Sequence, residues 1–550
     1  MRFFLSGLFF SAALLFASCQ TTYDVGFSSV SIEPTDETVS LTLAGYASPY
    51  LGRFTLTWEE VIDRPSVIHS TMTEAESKEA IRDLEQTDLG DGHVIISLTR
   101  DAEKWYALTS KGWLMQRALH AKEADWLRIG YNNGDTYTID IRHIVYAHGK
   151  LFARTSDGRW YRSCHSTTSD LSARAIAIRK GKEVVVIAGV DVCGFEYDFT
   201  QSIKEEICRR RSIPPEAILI NASHTHYAPI TQRWLSWPIQ NRLPDEVYLN
   251  RVVRQGIIQA IEEALDRMEP AYLYFGRDTT DIGFNRRLKD EQALYDHAVD
   301  VIKVTSTDGQ LKTLLFLTSC HPVKTDPTSG SFTVTANYPG QAKRLIEEQT
   351  GALNTVFLQG CAADINPKDP FKTSGVNLAA DVKRVLNKKM TPVKGHLNFS
   401  MDALKIPTNP WTKEEVKTYK EEALKENPAN YLMERNLIWS DMMLNYYANN
   451  TMPKAMTVYI QTLNIGDWKL IGLSREVTTE YSLAIRRIWP DKNVSVAAYT
   501  NDVSSYMATD PHILGKTYEG YDSFFWYSQP SPFPEGVFDT VIQYIKTNNK

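Results

Sequence analysis

Val184-Val185-Val186-Ile187-Ala188-Gly189-Val190-Asp191-Val192 is a short apolar run without alternation, the pattern of a strand buried on both faces of a sheet. An amphipathic stretch over 199–211 follows, and then a second apolar strand over 217–222. Strand, helix and strand within about 40 residues make the βαβ unit of an α/β domain. These residues therefore predict an α/β fold: a mixed, largely parallel sheet core flanked by helices.

Downstream the rhythm continues. A helical pattern over 257–267 leads to a strand over 271–275, and Asp308-Gly309 marks a tight hairpin turn before a strand over 311–319. Pro339 sits near the start of a helix that Gly351 stops, and 354–359 reads as the next buried strand. A charged helical stretch over 411–447, either a lid or a peripheral insertion, precedes strands over 456–463 and 468–473. Upstream, residues 51–163 differ, because strands outnumber helices there. Tyr106-Ala107-Leu108-Thr109-Ser110-Lys111-Gly112 is echoed 46 residues later by Phe152-Ala153-Arg154-Thr155-Ser156-Asp157-Gly158. Two copies cannot close a propeller ring, so this segment reads as a small inserted β-rich module.

Composition narrows the function. With 43% hydrophobic and 23% charged residues the chain is globular, and a formal charge of −6 without a Lys/Arg block argues against nucleic acid as partner. Met1-Arg2 precedes an apolar run too short to span a membrane comfortably. That run ends Phe16-Ala17-Ser18-Cys19, which resembles the cleavage box of bacterial lipoproteins. Residues 1–18 are thus expected to be a signal peptide and Cys19 the lipidated N-terminus, anchoring the protein by lipid in the bacterial cell envelope, at the outer membrane. Five further cysteines, at 164, 193, 208, 320 and 361, lack C-x-x-C spacing and are read mostly as buried apolar residues.

The chemistry-bearing residues recur where buried strands stop. Asn221-Ala222-Ser223-His224-Thr225-His226 ends one strand, His321 another and Asp364 a third, and Glu476 follows the strand over 468–473. Open α/β sheets bind ligands at such carboxyl ends. His-Thr-His alone fits two satisfied surface histidines as well as a metal pair. The added imidazole and carboxylates supply the nitrogen and oxygen donors that zinc takes in a near-tetrahedral shell.

The order of these motifs resembles the neutral (non-lysosomal) ceramidase family. Gly26 to Pro34 and Ala44-Gly45-Tyr46-Ala47 look like its opening strand and Gly-Tyr turn, and Leu171-Ser172-Ala173-Arg174-Ala175 like its Arg-Ala strand. The His-Thr-His segment to Pro229, Asn285-Arg286, Cys320-His321-Pro322, Asn337-Tyr338-Pro339-Gly340, Arg475-Glu476 and Asn501-Asp502-Val503-Ser504-Ser505-Tyr506 follow in the family's order. The resemblance implies zinc ligands His224, His321, Glu476 and Tyr506. It also implies that His226 and Arg286 polarise a substrate carbonyl and that Tyr521 lies near the scissile group. Residues 19–50 would open the catalytic domain, 51–163 would interrupt it, and 164–550 would complete it.

Three departures bear on activity. Where the family has a serine in Gly-Asp-x-Ser-Pro-Asn, this chain has Asn366 in Ala363-Asp364-Ile365-Asn366-Pro367-Lys368. An amide cannot act as that nucleophile, so zinc-activated water attacks with Asn366 orienting substrate, or the activity is lost. The Gly after Pro229 is replaced by Ile230, and no counterpart of the family's C-terminal β-sandwich domain is expected after Tyr521. The expected function is hydrolysis of an N-acyl, ceramide-like amide. The alternatives are a zinc esterase or amidase acting on glycan substituents, and a non-catalytic zinc- or glycan-binding lipoprotein.

Overall fold

The computed structural model describes residues 21–45, 53–61, 72–84, 92–119, 126–131, 133–134, 137–325, 333–426 and 431–548. The expected signal peptide, Cys19 and the Tyr46-Ala47 part of the turn lie outside them. The strands of the main sheet are β1 (Tyr23–Ser31), β2 (Ser172–Lys180), β3 (Glu183–Val190), β4 (Ile218–Ala222), β5 (Glu269–Thr279), β6 (Ala298–Ser306), β7 (Leu311–Thr318) and β8 (Asn354–Gln359). They lie in the order β4-β3-β2-β1-β5-β6-β7-β8, with a two-residue strand at Thr391–Pro392 completing nine on β5.

The expectation of a largely parallel sheet is corrected. Only β3 with β4 and β7 with β8 run parallel; every other pairing along the path is antiparallel. The βαβ unit at 184–222 is real, but β2–β3 and β6–β7 are hairpins turning at Gly181 (φ 64°) and Gly309 (φ 93°). A connection of two to four residues returns the chain antiparallel; parallel neighbours need a crossover. The crossovers here are helices Tyr197–Arg211 and Asn337–Thr350, the latter ending on Gly351 at φ 73°.

The parallel pairs sit at opposite edges, yet the sheet is curled enough for those edges to meet. Arg174 on β2 donates to the Thr355 carbonyl of β8 at 3.0 Å, and Asn354 reaches the Ser28 carbonyl of β1 at 3.1 Å. At the carboxyl ends the buried Asn221 side chain closes the gap. Its Oδ1 accepts from the Gln359 N–H at 2.8 Å, and its Nδ2 donates to the Ala498 carbonyl at 2.6 Å.

A second sheet, β9 (Leu397–Pro407), β10 (Ala455–Ile465), β11 (Trp468–Leu473) and β12 (Asn493–Ala497), packs over the first. Val185, Ile187 and Leu219 meet Leu463, Trp468 and Leu470 between them in one apolar layer. Helices Tyr197–Arg211 and Gln255–Asp266 cover another face through Ile203, Ile207, Ile257 and Ile261. All of these side chains are buried, which is the main favourable term holding the layers together.

Residues 56–165 contribute two four-stranded antiparallel sheets besides helix Glu74–Leu84. The sequence echo falls on equivalent hairpins. Lys104–Thr109 and Lys150–Thr155 each run into a turn closed by the N–H of Gly112 or Gly158, at φ 80° and 88°. Helices Lys413–Ala423 and Tyr431–Asn449 bury Trp439 against Phe524 and Phe525, and Arg435 lies over the Phe525 and Trp526 rings. The pair thus supports the segment that forms one wall of the site described below. Among the described residues all five cysteines are free, and no helix is long and apolar enough to cross a membrane.

Lys204 is fully buried on helix Tyr197–Arg211, with the Met401 thioether at 3.8 Å from its amine. Burial pushes the ammonium down from 10.5 to about 7. The unfolded chain therefore holds a proton that the native state binds poorly, and stability is lost as pH falls from 10.5 toward 7. Lys204→Met is expected to raise the melting temperature by several degrees at pH 7, a gain that shrinks toward pH 10.5. A pH-independent gain in thermal melts would contradict this.

Candidate metal centre and cleft

His224 lies just past β4 in the left-handed region, at φ 63°. A non-glycine residue there is strained and persists only where its surroundings hold it; here its N–H bonds the Val192 carbonyl at 2.9 Å. Its Nδ1 donates to the Cys193 carbonyl at 2.6 Å, which leaves Nε2 as the nitrogen a metal would take. His321, past β7, repeats the arrangement: N–H to Ile365 O at 2.9 Å and Nδ1 to Ala362 O at 2.5 Å. Both Nε2 atoms face the Glu476 Oε2, at 3.0 and 3.3 Å. Glu476 follows β11 and is fixed by a short parallel pairing of Glu476–Val477 with Tyr506–Met507. All three donors are essentially buried.

This donor set suits zinc. Two imidazoles, each with its second nitrogen on a backbone carbonyl, and one carboxylate are donors that zinc takes when it binds to protein. A competing trio, Cys193, His224 and His226, also lies close together. Cys193 Sγ, however, is 3.8 Å from His224 Nδ1, whereas His226 Nε2 is 3.1 Å from His224 Nε2. The thiol thus lies nearest the ring nitrogen that already donates to the Cys193 carbonyl, which makes this trio the poorer donor set.

The cluster floors a cleft of about 560 Å³ lined by His224, His226, Arg286, Asn366, Glu476 and Tyr506, all expected from sequence, and by Trp234, Trp237 and Trp526. Trp234 and Trp237 stack at 4.5 Å, with the Trp526 ring edge-on to Trp237 at 5.0 Å. Arg286 is held in place by Glu519 Oε1 at 3.0 Å, the Ala363 carbonyl at 2.8 Å and Asn366 Oδ1 at 3.1 Å, and it approaches the Tyr506 hydroxyl at 3.4 Å. With Oδ1 committed to Arg286, Asn366 can offer the cleft N–H donors and no nucleophile.

Tyr521 does not line this cleft. Its ring packs edge-on against Phe524 at 5.4 Å, under the Lys516 ammonium. Three residues earlier, across the helical turn Tyr518–Asp522, Tyr518 does line it. Tyr527, also missed, donates to Glu476 Oε1. Arg53 was missed as well: it binds the Gly45 carbonyl at 2.9 Å and the His226 carbonyl, tying those two cleft residues together. Gly45 is required here, because a Cβ would come within 2.0 Å of His226 Nδ1. Isolated Tyr and Arg residues carry no spacing signal, and of these only Tyr518 lies beside a motif, Glu519-Gly520-Tyr521-Asp522.

No family model matches the chain, and no curated protein sequence matches it significantly. The solved structures similar in fold include two ceramidases. The neutral ceramidase from Pseudomonas aeruginosa aligns with 96% of this chain and 74% of its own, at 15% identity and TM-score 0.57. A ceramidase complexed with C2 aligns over 69% of each chain, at 16% identity and TM-score 0.55. The resemblance read from motif order is borne out at the level of the fold.

Electrostatics give a test. Burial opposes the charge on His224, but the Glu476 carboxylate outweighs it and pushes the imidazole up to about 10. Burial, then Arg286, takes His321 down to about 4. At neutral pH a metal must therefore displace one proton, from His224. If these residues hold zinc, its affinity is lost in His321→Ala and, in the native protein, weakens about tenfold per pH unit as pH falls between those two values. A flat affinity from pH 9 to 5, measured by competition with a chelator, would contradict the assignment.

Proposed function

We propose that the protein is a zinc-dependent hydrolase of an amide bond in an N-acyl, ceramide-like lipid. The observation that carries this reading is the convergence of His224 Nε2 and His321 Nε2 on Glu476 Oε2 at the floor of an aromatic-walled cleft. His224, His321 and Glu476 would hold the zinc, with Tyr506 beside them. When bound, the ion supplies a Lewis acid that activates water for attack on a carbonyl. His226 is kept neutral: burial and the charge on His224 hold it well below its ordinary value. A neutral His226 and the fixed Arg286 guanidinium would donate to a carbonyl oxygen as it becomes an oxyanion. Asn366, in the position of the family's serine, orients the substrate through its N–H groups. Tyr527 fixes the Glu476 carboxylate. Trp234, Trp237 and Trp526 exclude water and offer an apolar surface to an acyl chain.

A glycan-directed site would be served by aromatics of the β-rich module at 51–163. Among the described residues, the aromatics lining the cleft come from 234, 237, 284, 506, 518, 526 and 527, which favours the lipid amide. We also propose export, with lipidation at Cys19 anchoring the protein to the bacterial envelope. Cys19→Ser is expected to move it from the membrane to the soluble fraction, and a wild-type protein that fractionates as soluble would refute the anchor.

The activity test is fatty-acid release from a fluorogenic N-acylsphingosine. The zinc-loaded protein is expected to turn it over, a chelator to stop it and added zinc to restore it. Asn366→Ala should keep its zinc and lose about 10²-fold in kcat, because it removes both a substrate-orienting donor and the Oδ1 that holds the oxyanion donor Arg286. Bound zinc without turnover would refute the ceramide-like substrate.

A further inference from the structure

Behind the cleft floor lies another group of metal-capable atoms, separate from His224, His321 and Glu476: Asp364, Glu480 and His512, mutually within 4.8 Å. His512 Nε2 is 3.8 Å from Asp364 Oδ2 and 3.8 Å from Glu480 Oε1. The His512 side chain has no exposed surface, and its Nε2, like Glu480 Oε2, makes no hydrogen bond among the described residues. Its Nδ1 faces the Thr517 hydroxyl at 3.0 Å, and a donor there leaves the Nε2 lone pair aimed at the two carboxylates. Asp364 is oriented from behind by the Thr479 N–H on Oδ1 at 2.9 Å and by Asn285 Nδ2 on Oδ2 at 2.7 Å. The guanidiniums closest in chain to Asn285, Arg286 and Arg287, are both engaged by Glu519. The fully buried Asp364 carboxylate, the Glu480 carboxylate with its Oε2 atom buried, and the unpaired His512 nitrogen at this spacing are costly unless a proton or a metal cation lies among them.

We propose that Asp364, Glu480 and His512 bind a second divalent cation, of the zinc and manganese class that takes mixed imidazole and carboxylate donors. Its ligands come from the three segments that carry cleft residues. Asp364 precedes Asn366 by two residues, Glu480 follows Glu476 by four, and His512 follows Tyr506 by six. The Asp364 carbonyl also receives the Arg286 N–H at 2.8 Å. An ion here clamps the strand end bearing Asn366 to the segments bearing Glu476 and Tyr506, so its role is to position the cleft floor rather than to touch substrate.

The test is the number of ions retained by full-length protein stripped with chelator, reloaded with Zn²⁺ or Mn²⁺, desalted and analysed elementally. Wild type is expected to hold two, His512→Gln one, His321→Ala one and the double variant none, with Glu480→Gln behaving as His512→Gln. Reloading should raise the melting temperature of His321→Ala but not of the double variant. A folded His512→Gln protein that holds as many ions as wild type overturns the site, and so does a His321→Ala protein that holds none. Two ions retained by His321→Ala would instead refute the zinc assignment under the proposed function while leaving this site standing.

Discussion

One buried carboxamide decides where the site forms. Asn221 ends β4, and its side chain bonds Gln359 at the end of β8 and Ala498 just beyond β12. Those three strand ends lead into the segments that carry His224, Asn366 and Tyr506. With no exposed surface, the amide satisfies a donor and an acceptor that would otherwise be buried without partners. Such an unsatisfied group costs about 1–3 kcal/mol. The edge strands of the curled sheet thus close at the point where a cation site needs donors from opposite ends of the chain.

The same region concentrates backbone strain. His224 (φ 63°), Arg475 (φ 80°), Tyr499 (φ 52°) and Asn501 (φ 63°) are left-handed and not glycine. Each costs about 1–3 kcal/mol in isolation. The N–H groups of Arg475, Tyr499 and Asn501 bond the carbonyls of Asp502, Arg475 and Ile220 at 2.7, 3.0 and 2.8 Å, a ladder that links the two sheets and holds the turns open toward the cleft. The apolar layer between the sheets outweighs the strain locally and turns it into fixed geometry.

Much of this was legible in the chain. Apolar runs located β4, β7 and β11, and the end of each marked His224, His321 or Glu476, because strand ends are where side chains leave the core. The sheet's direction was not legible from the 184–222 unit, since a βαβ reading describes one crossover and says nothing of strands joined by hairpins. Tyr521 was misplaced because a helical turn sends residues three apart to neighbouring positions only when the turn is regular; here the cleft takes Tyr518 and the aromatic cluster takes Tyr521. Arg53 and Tyr527 act through single side chains from distant segments, and no local pattern announces such contacts. The echo at 46 residues, by contrast, corresponded to a pair of equivalent hairpins.

The central claim is that zinc is held by His224, His321 and Glu476 rather than by the neighbouring thiol of Cys193. X-ray absorption at the zinc edge of the metal-loaded protein tests it directly. The account predicts a shell of nitrogen and oxygen alone at about 2.0–2.1 Å with imidazole outer-shell scattering, and a sulfur scatterer at about 2.3 Å would contradict it.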